Sequence, residues 1–304
     1  MKILLSFLSF FIMFSCVTVK ANEIKVWQKE VKYVPFSNEN LTLLSVVYLS
    51  ALDGRFGGLS GLLEDNGVFY AVSDRGFLFK WKNKSKIKRV EFKKIKDQKN
   101  QIFHGIRFVD SESLARHSKS GVWVAFERQN RLLPIEKETA VQSAKELHAP
   151  FFDKLPFNGG FEAVEEMADG RLVLIAEGFD NATETDFWLQ QKDGTWQQKK
   201  LLLTDAFRPT GLTRLPESNT FILMERFYKN FQGFKVRLSV FDIEQGVRSK
   251  ILAELSAPYT LDNFEGIASY IDDQGRVILT LVSDDNFSPL QRTLLMRFQY
   301  HGAK

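Results

Sequence analysis

Cysteine and histidine are scarce in this 304-residue sequence. The single cysteine, Cys16, lies in an N-terminal leader, so the rest of the chain offers no disulfide, no thiol nucleophile and no thiolate metal ligand. The four histidines are His104, His117, His148 and His301. No two of them are spaced as ligands of one metal ion are. The sequence therefore does not predict a metal site or a catalytic site that is built on cysteine or on paired histidines.

Glycine-rich signature motifs are also missing. Ser60 lies in Gly-Leu-Ser-Gly, which does not have the Gly-x-Ser-x-Gly spacing of a nucleophile elbow. Neither a phosphate-binding P-loop nor a dinucleotide fingerprint occurs. The sequence thus lacks the motifs of an α/β-hydrolase, a P-loop nucleotide-binding protein and a Rossmann dehydrogenase.

A strong charge of either sign is absent, because 41 Lys and Arg oppose 37 Asp and Glu, a formal net charge of +4. The longest basic stretch, residues 82–96, alternates with apolar residues and is typical of exposed outer strands. We therefore expect no nucleic-acid partner, and favour a small anionic or ester ligand.

A long apolar run occurs only at the N-terminus. Lys2 is followed by ILLSFLSFFIMFSCVTV and then by Lys20-Ala21. This pattern predicts a secretory signal peptide over residues 1–21, a periplasmic or secreted protein, and no stable membrane span after cleavage. An uncleaved anchor and lipidation of Cys16 are the alternatives. Cleavage would remove two lysines and lower the net charge from +4 to +2.

Five related hairpins occupy the remainder. They begin at Gly57, Val109, Asn158, Arg208 and Asp262. Each has a small residue just before the first strand, then two short strands joined by a turn, and an acid after the second strand. The small residues are Gly61, Ser113, Ala163, Gly211 and Gly266, and they recur every 48 to 55 residues. The acids are Asp74, Glu127, Glu177, Glu225 and Asp284.

A strand-rich repeat of about 50 residues is typical of a β-propeller with four strands per blade. The sequence predicts an all-β fold, with one propeller domain over residues 22–304; five blades are favoured and six remain an alternative. The last repeat lacks an outer strand, which residues 41–50 would supply, closing the ring. The one helix-like stretch is residues 128–150.

The two ends of each hairpin meet, because its strands are antiparallel. An inner ring of polar residues is therefore predicted around one channel mouth, at Ser60, Glu112, Glu162, Thr210 and Glu265. The five acids after the second strands form a second ring. Arg75, Arg128 and Arg226 directly follow three of these acids, and Asp285-Asn286 follows Asp284.

About eight carboxylates at close range require compensation. Arginines could pair with them and fix the blades, some could hold protons for acid–base chemistry, or a hard cation such as Ca²⁺ could bind among them. Which of these applies stays open at this point.

The repeats resemble the phytase-like domain, also named "esterase-like activity of phytase". The resemblance rests on GGLSG followed by SDRG, on GGFEAVEEMADGRLVLIAEG and on SDDNF near the end, and covers roughly residues 40–300. It implies an exported bacterial propeller that hydrolyses a phosphoester or a carboxylic ester.

The resulting hypothesis is a metal-dependent hydrolase. The expected Ca²⁺ ligands are Glu112, Glu162, Glu265, Asp284 and Asn286. The expected proton-transfer residues are Asp74, Glu127, Glu177 and Glu225. Arg75, Arg128 and Arg226 would hold anionic oxygens, since guanidinium groups match phosphate geometry. The alternative is a non-catalytic propeller that binds a ligand or protein and whose acid–arginine ring is structural.

Overall fold

The computed structural model describes residues 22–119, 121–179 and 182–302. The predicted signal peptide, including Cys16, lies outside these residues. Three N-terminal strands precede the first repeat: β1 (Glu23–Lys25), β2 (Trp27–Glu30) and β3 (Leu41–Ser50). Blade 1 contains, from the axis outward, β4 (Leu59–Asp65), β5 (Val68–Ser73), β6 (Phe77–Lys82) and β7 (Arg89–Lys94).

The remaining blades repeat this order. Blade 2 contains β8 (Ser111–His117), β9 (Gly121–Phe126) and β10 (Arg131–Ile135), preceded by a short helix α1 (Ile106–Val109). Blade 3 contains β11 (Phe161–Glu166), β12 (Leu172–Ala176), β13 (Glu184–Gln190) and β14 (Trp196–Leu202), preceded by a 3-10 turn (Phe152–Lys154). Blade 4 contains β15 (Arg208–Arg214), β16 (Phe221–Lys229), β17 (Gly233–Asp242) and β18 (Val247–Leu255). Blade 5 contains β19 (Asn263–Ile271), β20 (Val277–Asp284) and β21 (Thr293–Tyr300).

The predicted five-bladed propeller is confirmed, and so is its closure. β3, residues 41–50 as predicted, pairs with β21 and is the fourth strand of blade 5. β2 adds to β3, whereas β1 adds to β7 at the outer edge of blade 1. The N-terminal segment therefore joins the last blade to the first. In blade 2, bridges from β10 to Gln142 and Leu147 take the place of a regular fourth strand.

The helix prediction for residues 128–150 is wrong. All five residues of β10 are buried and pair with β9, so tertiary pairing outweighs the local helical pattern. A single helical turn does close between Glu136 and Ala140, whose positive φ of 58° ends it.

The apolar core is divided among the blade interfaces. Five clusters of buried side chains each join residues of two neighbouring blades, including the interface between blades 5 and 1. This confirms that the apolar middle of each hairpin packs blade against blade. The polar ends of the hairpins are left at the channel mouths. No helix among the described residues is long and apolar enough to cross a membrane.

Candidate active site at the channel mouth

A β-bulge occurs near the start of the innermost strand in all five blades. In each case the pairing with the second strand skips one residue. The skipped residues are Ser60, Glu112, Glu162, Thr210 and Glu265, the predicted inner ring. A bulged residue leaves the ladder, so its side chain is re-aimed relative to the strand. The bulge thus gives a local reason for a polar ring inside an apolar fold.

The small residue of each repeat directly follows the bulge, inside the strand rather than before it. At Gly61 and Gly266 the innermost strands of neighbouring blades approach closely. A Cβ atom on Gly61 would lie 2.7 Å from the backbone nitrogen of Leu114, and one on Gly266 would lie 2.9 Å from that of Leu62. Larger residues would push the blades apart and widen the ring.

Most members of the two rings line a cavity of about 680 Å³ at the mouth, but Thr210 and Glu225 do not. Among the described residues, eight carboxyl groups line it: Asp74, Asp110, Glu112, Glu127, Glu162, Glu177, Glu265 and Asp284. Only two guanidinium groups do so, those of Arg128 and Arg226. Asn286 also lines it, as predicted. Glu162 and Glu177 are neighbours as the hairpin geometry requires, since the Glu177 N–H donates to Gly160 at 3.3 Å.

The tightest group of potential ligands is Asp110, Glu112 and Glu127, with one oxygen of each within 4.8 Å of the others. Glu127 is held by the N–H groups of Gly159 and Gly160. Sequence reasoning missed Asp110. It lies two residues before a bulged residue, as does Asn263 in blade 5, and that shared repeat position was the available signal.

Burial is the main cause of the raised pKa values of the carboxyl groups in the cavity wall. It raises the pKa of Asp74 to about 8, with the charge of Asp284 contributing next. The same two causes raise the pKa of Glu265 to about 8, and burial raises that of Asp284 to about 6. Burial and neighbouring carboxylates place the pKa values of Glu112 and Glu162 well above their usual range. The cluster therefore retains protons near neutral pH unless positive charge is supplied.

The two arginines of the cavity are already engaged. Arg128 donates to Asp110, which is 3% exposed. Arg226 donates to the side chain of Asn263, and its guanidinium also lies 3.4 Å from Glu265 and 3.5 Å from Glu177. Together they compensate only part of the acidic cluster.

Two predicted site residues lie elsewhere. Arg75 is exposed, stacks on the ring of Phe287 at 3.3 Å and donates to the Gly54 carbonyl. Glu225 is fully buried and accepts from both Nε, at 2.6 Å, and Nη2 of Arg248. In blade 4 the second strand continues past this acid, so Glu225 stays within a continuous ladder instead of reaching the mouth.

At the opposite end of the channel, acids have close protein partners. Asp65 forms ion pairs with Arg116 and Lys137. Glu165 accepts the backbone N–H of Arg214 at 3.0 Å, and Glu166 accepts from the indole of Trp123 at 3.0 Å. The alternative in which protein partners compensate the acids and fix the blades therefore fits this end of the channel well and the cavity end poorly.

The family is decided by a match over most of the chain. The family model named phytase-like, "esterase-like activity of phytase", matches residues 54–287. The chain belongs to the phytase-like family. No curated protein matches it.

Solved structures resemble this phytase-like chain in fold. The endo-arabinase of Bacteroides thetaiotaomicron is 12% identical with a TM-score of 0.52, covering 83% of this chain and 96% of that one. A luciferin-regenerating enzyme is 11% identical with a TM-score of 0.48 and coverages of 86% and 98%. The glutaminyl cyclase of Myxococcus xanthus is 12% identical with a TM-score of 0.45 and coverages of 91% and 98%. At such low identity the arabinase supports the propeller fold alone.

The donor set of the phytase-like cavity suits a hard cation. Carboxylate and amide oxygens line it, and no cysteine or histidine among the described residues does. In the described part of its wall, the carboxyl oxygen Oδ1 of Asp74 is buried without a hydrogen-bond partner. A buried oxygen without a donor is costly, and a cation in its reach would satisfy it.

Proposed function

We propose that this phytase-like propeller is an exported hydrolase that acts on a phosphoester or a carboxylic ester at the channel mouth, with a divalent cation of the calcium type. One observation carries the proposal: eight carboxyl groups and two arginines line the cavity, while acids at the other end of the channel have close partners. Family membership agrees with ester hydrolysis but leaves the substrate open.

The residues that would hold the cation are Glu112, Glu162 and Glu265, with Asp284 and Asn286 beside them. The proximity of Asp110 and Glu127 to Glu112 adds both to this set. When bound, such a cation supplies Lewis-acid polarisation of the ester oxygen and lowers the pKa of a water molecule.

The chain's own residues would do the rest. Arg226 and Arg128 orient an anionic or polarised oxygen, because they are the guanidinium groups that reach the cavity. Asp74 and Glu177 line the same cavity and are the candidates for moving a proton, with Glu127 a third if it is not a ligand. Glu225 leaves this set, since its carboxylate is buried against Arg248.

A binding module is the second candidate. It is favoured by the engagement of both cavity arginines with carboxylates. In the part of the chain that the structure describes, it is also favoured by the lack of a histidine or a nucleophile elbow at the mouth. In that case the same cavity holds a ligand without turnover.

The test is hydrolysis of a panel of p-nitrophenyl esters and phosphoesters by the mature protein in calcium or in chelator. We expect calcium-dependent turnover that falls at least 100-fold in Glu162→Gln. Glu165→Gln is the matched control, because Glu165 is buried on the same strand, β11, at the other end of the channel. Turnover by Glu162→Gln equal to that of the control, or no turnover on the whole panel, would refute the hydrolase.

A further inference from the structure

One hairpin rises above the channel mouth. β16 continues four residues past Glu225, which corresponds to about 13 Å of strand. The pairs Phe227–Lys235, Tyr228–Phe234 and Lys229–Gly233 extend it beyond Arg226. In blades 1 and 2 the second strand ends at Ser73 and Phe126, each just before its acid.

The two faces of this raised hairpin have different environments, as strand alternation requires. On one face, Phe227 is 4% exposed, packs on Phe207 at 5.8 Å and lies beneath the Lys235 ammonium. On the other face, the cross-strand partners Tyr228 and Phe234 line the cavity, with ring centroids 4.6 Å apart. Tyr228 remains 55% exposed, so this aromatic surface is open to a ligand.

A third side chain with apolar surface reaches the same cavity from the next blade. Leu290, 91% exposed, lies between β20 and β21 and lines the cavity with Tyr228 and Phe234. Arg226 stands at the base of the hairpin, beside Glu177 and Glu265. The cavity thus has an acidic floor and an apolar wall.

We infer that Tyr228, Phe234 and Leu290 form a subsite for an alkyl or aromatic group of the substrate. This inference rests on the proposed hydrolase function and narrows its substrate class. The substrate is an amphiphilic ester or phosphomonoester whose apolar group lies on the wall while its reacting group lies near Arg226.

The charge of the cavity wall favours the same class of substrate. Even with one divalent cation bound, a polyphosphorylated sugar alcohol would bring several negative charges into a cavity lined by eight carboxyl groups and by two arginines that are already engaged. Like charges at this range are repulsive, and burial strengthens the repulsion. A neutral ester or a single phosphate avoids most of that cost, and burial of its apolar group adds binding free energy.

The test compares kcat/KM for p-nitrophenyl acetate, butyrate and hexanoate in calcium. Complete burial of one methylene corresponds to about a fourfold gain, so a half-open wall predicts about twofold per methylene. Tyr228→Ala should reduce this increment toward one, so that its loss relative to wild type is smallest for the acetate and grows with chain length. Phe231→Ala is the matched control, because Phe231 is fully exposed at the tip of the same hairpin and does not line the cavity.

Binding of the neutral fluorophore N-phenyl-1-naphthylamine separates this inference from the hydrolase proposal. We expect Tyr228→Ala to weaken its binding at least fivefold and Phe231→Ala to change it less than twofold. If no ester is hydrolysed but these binding differences hold, the hydrolase fails and the apolar subsite stands. Equal binding by wild type and Tyr228→Ala, equal losses in both variants, or no binding with a flat chain-length series would overturn the subsite.

Discussion

Replacement of Glu265 by glutamine should change stability in opposite directions with and without calcium. Gln keeps the size of the side chain and can still accept the 2.8 Å hydrogen bond from Asn263. It removes a carboxyl group whose pKa is raised to about 8 by burial and by Asp284. Without a cation this buried carboxylate should destabilise the fold when it is ionised, whereas the proposed function makes it a ligand of calcium.

The direction of the pH dependence of stability follows from proton binding by Glu265. The pKa of Glu265 is about 8 in the folded state, whereas the unfolded chain loses this proton near the usual pKa of 4.5. The stabilising effect is therefore complete below about pH 4.5 and is lost as pH rises through about 8. At 1.36 kcal/mol per pKa unit, ionisation costs about 5 kcal/mol, part of which is shared with Asp284.

The assay is thermal unfolding from pH 5 to pH 9, in chelator and in calcium. For a chain of this length the unfolding entropy is about 0.6 kcal/mol per kelvin, so about 3–5 kcal/mol corresponds to about 5–8 °C. In chelator, Glu265→Gln should gain about this much relative to wild type as pH rises. Calcium at about 100 times its Kd should raise the wild-type Tm by about 5 °C at high pH and the variant less.

Glu165→Gln separates these effects. Burial raises the pKa of Glu165 to about 7, at the opposite end of the channel. This variant should alter the pH dependence in chelator but keep the full calcium response. A wild-type Tm that does not fall with pH in chelator would refute the electrostatic reasoning. A calcium response of equal size in Glu265→Gln would refute its role as a ligand.

Three further predictions concern the frame of the site. Arg248→Met should lower the free energy of unfolding by about 3–5 kcal/mol in urea denaturation, because it leaves the fully buried carboxylate of Glu225 without its cationic partner. The double variant with Glu225→Gln should recover most of this loss, whereas an additive loss would contradict the explanation. Gly58→Ala should lower the Tm, because Gly58 has a φ of +61°, and should also reduce the calcium response, because its Cβ would lie 2.0 Å from Asp74 Oδ1. An unchanged calcium response in the folded variant would argue otherwise. Ile24→Ala should lower the free energy of unfolding by about 2–4 kcal/mol in denaturant titration, because Ile24 is 2% exposed in the cluster that joins blades 5 and 1. A loss below about 1 kcal/mol would mean that β1 does not help to close the ring.

The fold was predictable because its information is repeated along the chain. Five small residues at nearly equal spacing predicted five blades, and the incomplete last repeat predicted the strand over residues 41–50. The error over residues 128–150 arose where one segment had no repeat to compare with. There the apolar spacing suggests a helix, but pairing with β9 buries all of β10.

The candidate site was predictable in position and less so in membership. Antiparallel pairing alone brings Glu162 and Glu177 together. The bulge that re-aims Glu162 has no sequence signature except the small residue after it, so its geometry could not be read in advance. Glu225 illustrates the limit: it occupies the same repeat position as Glu177, but a longer ladder in blade 4 gives it a different environment.

The contrast between the two ends of one strand argues for a functional reading of the cavity. Glu162 and Glu165 are both buried on β11, three residues apart. Glu165 accepts two backbone N–H groups, from Arg214 and Glu166, whereas the largest electrostatic influence on Glu162 after burial is the carboxylate of Glu177. The fold can therefore provide partners for a buried acid on this strand, and does so at one end. Since buried like charges destabilise a protein, the acidic cluster at the mouth is best explained by what the cavity binds.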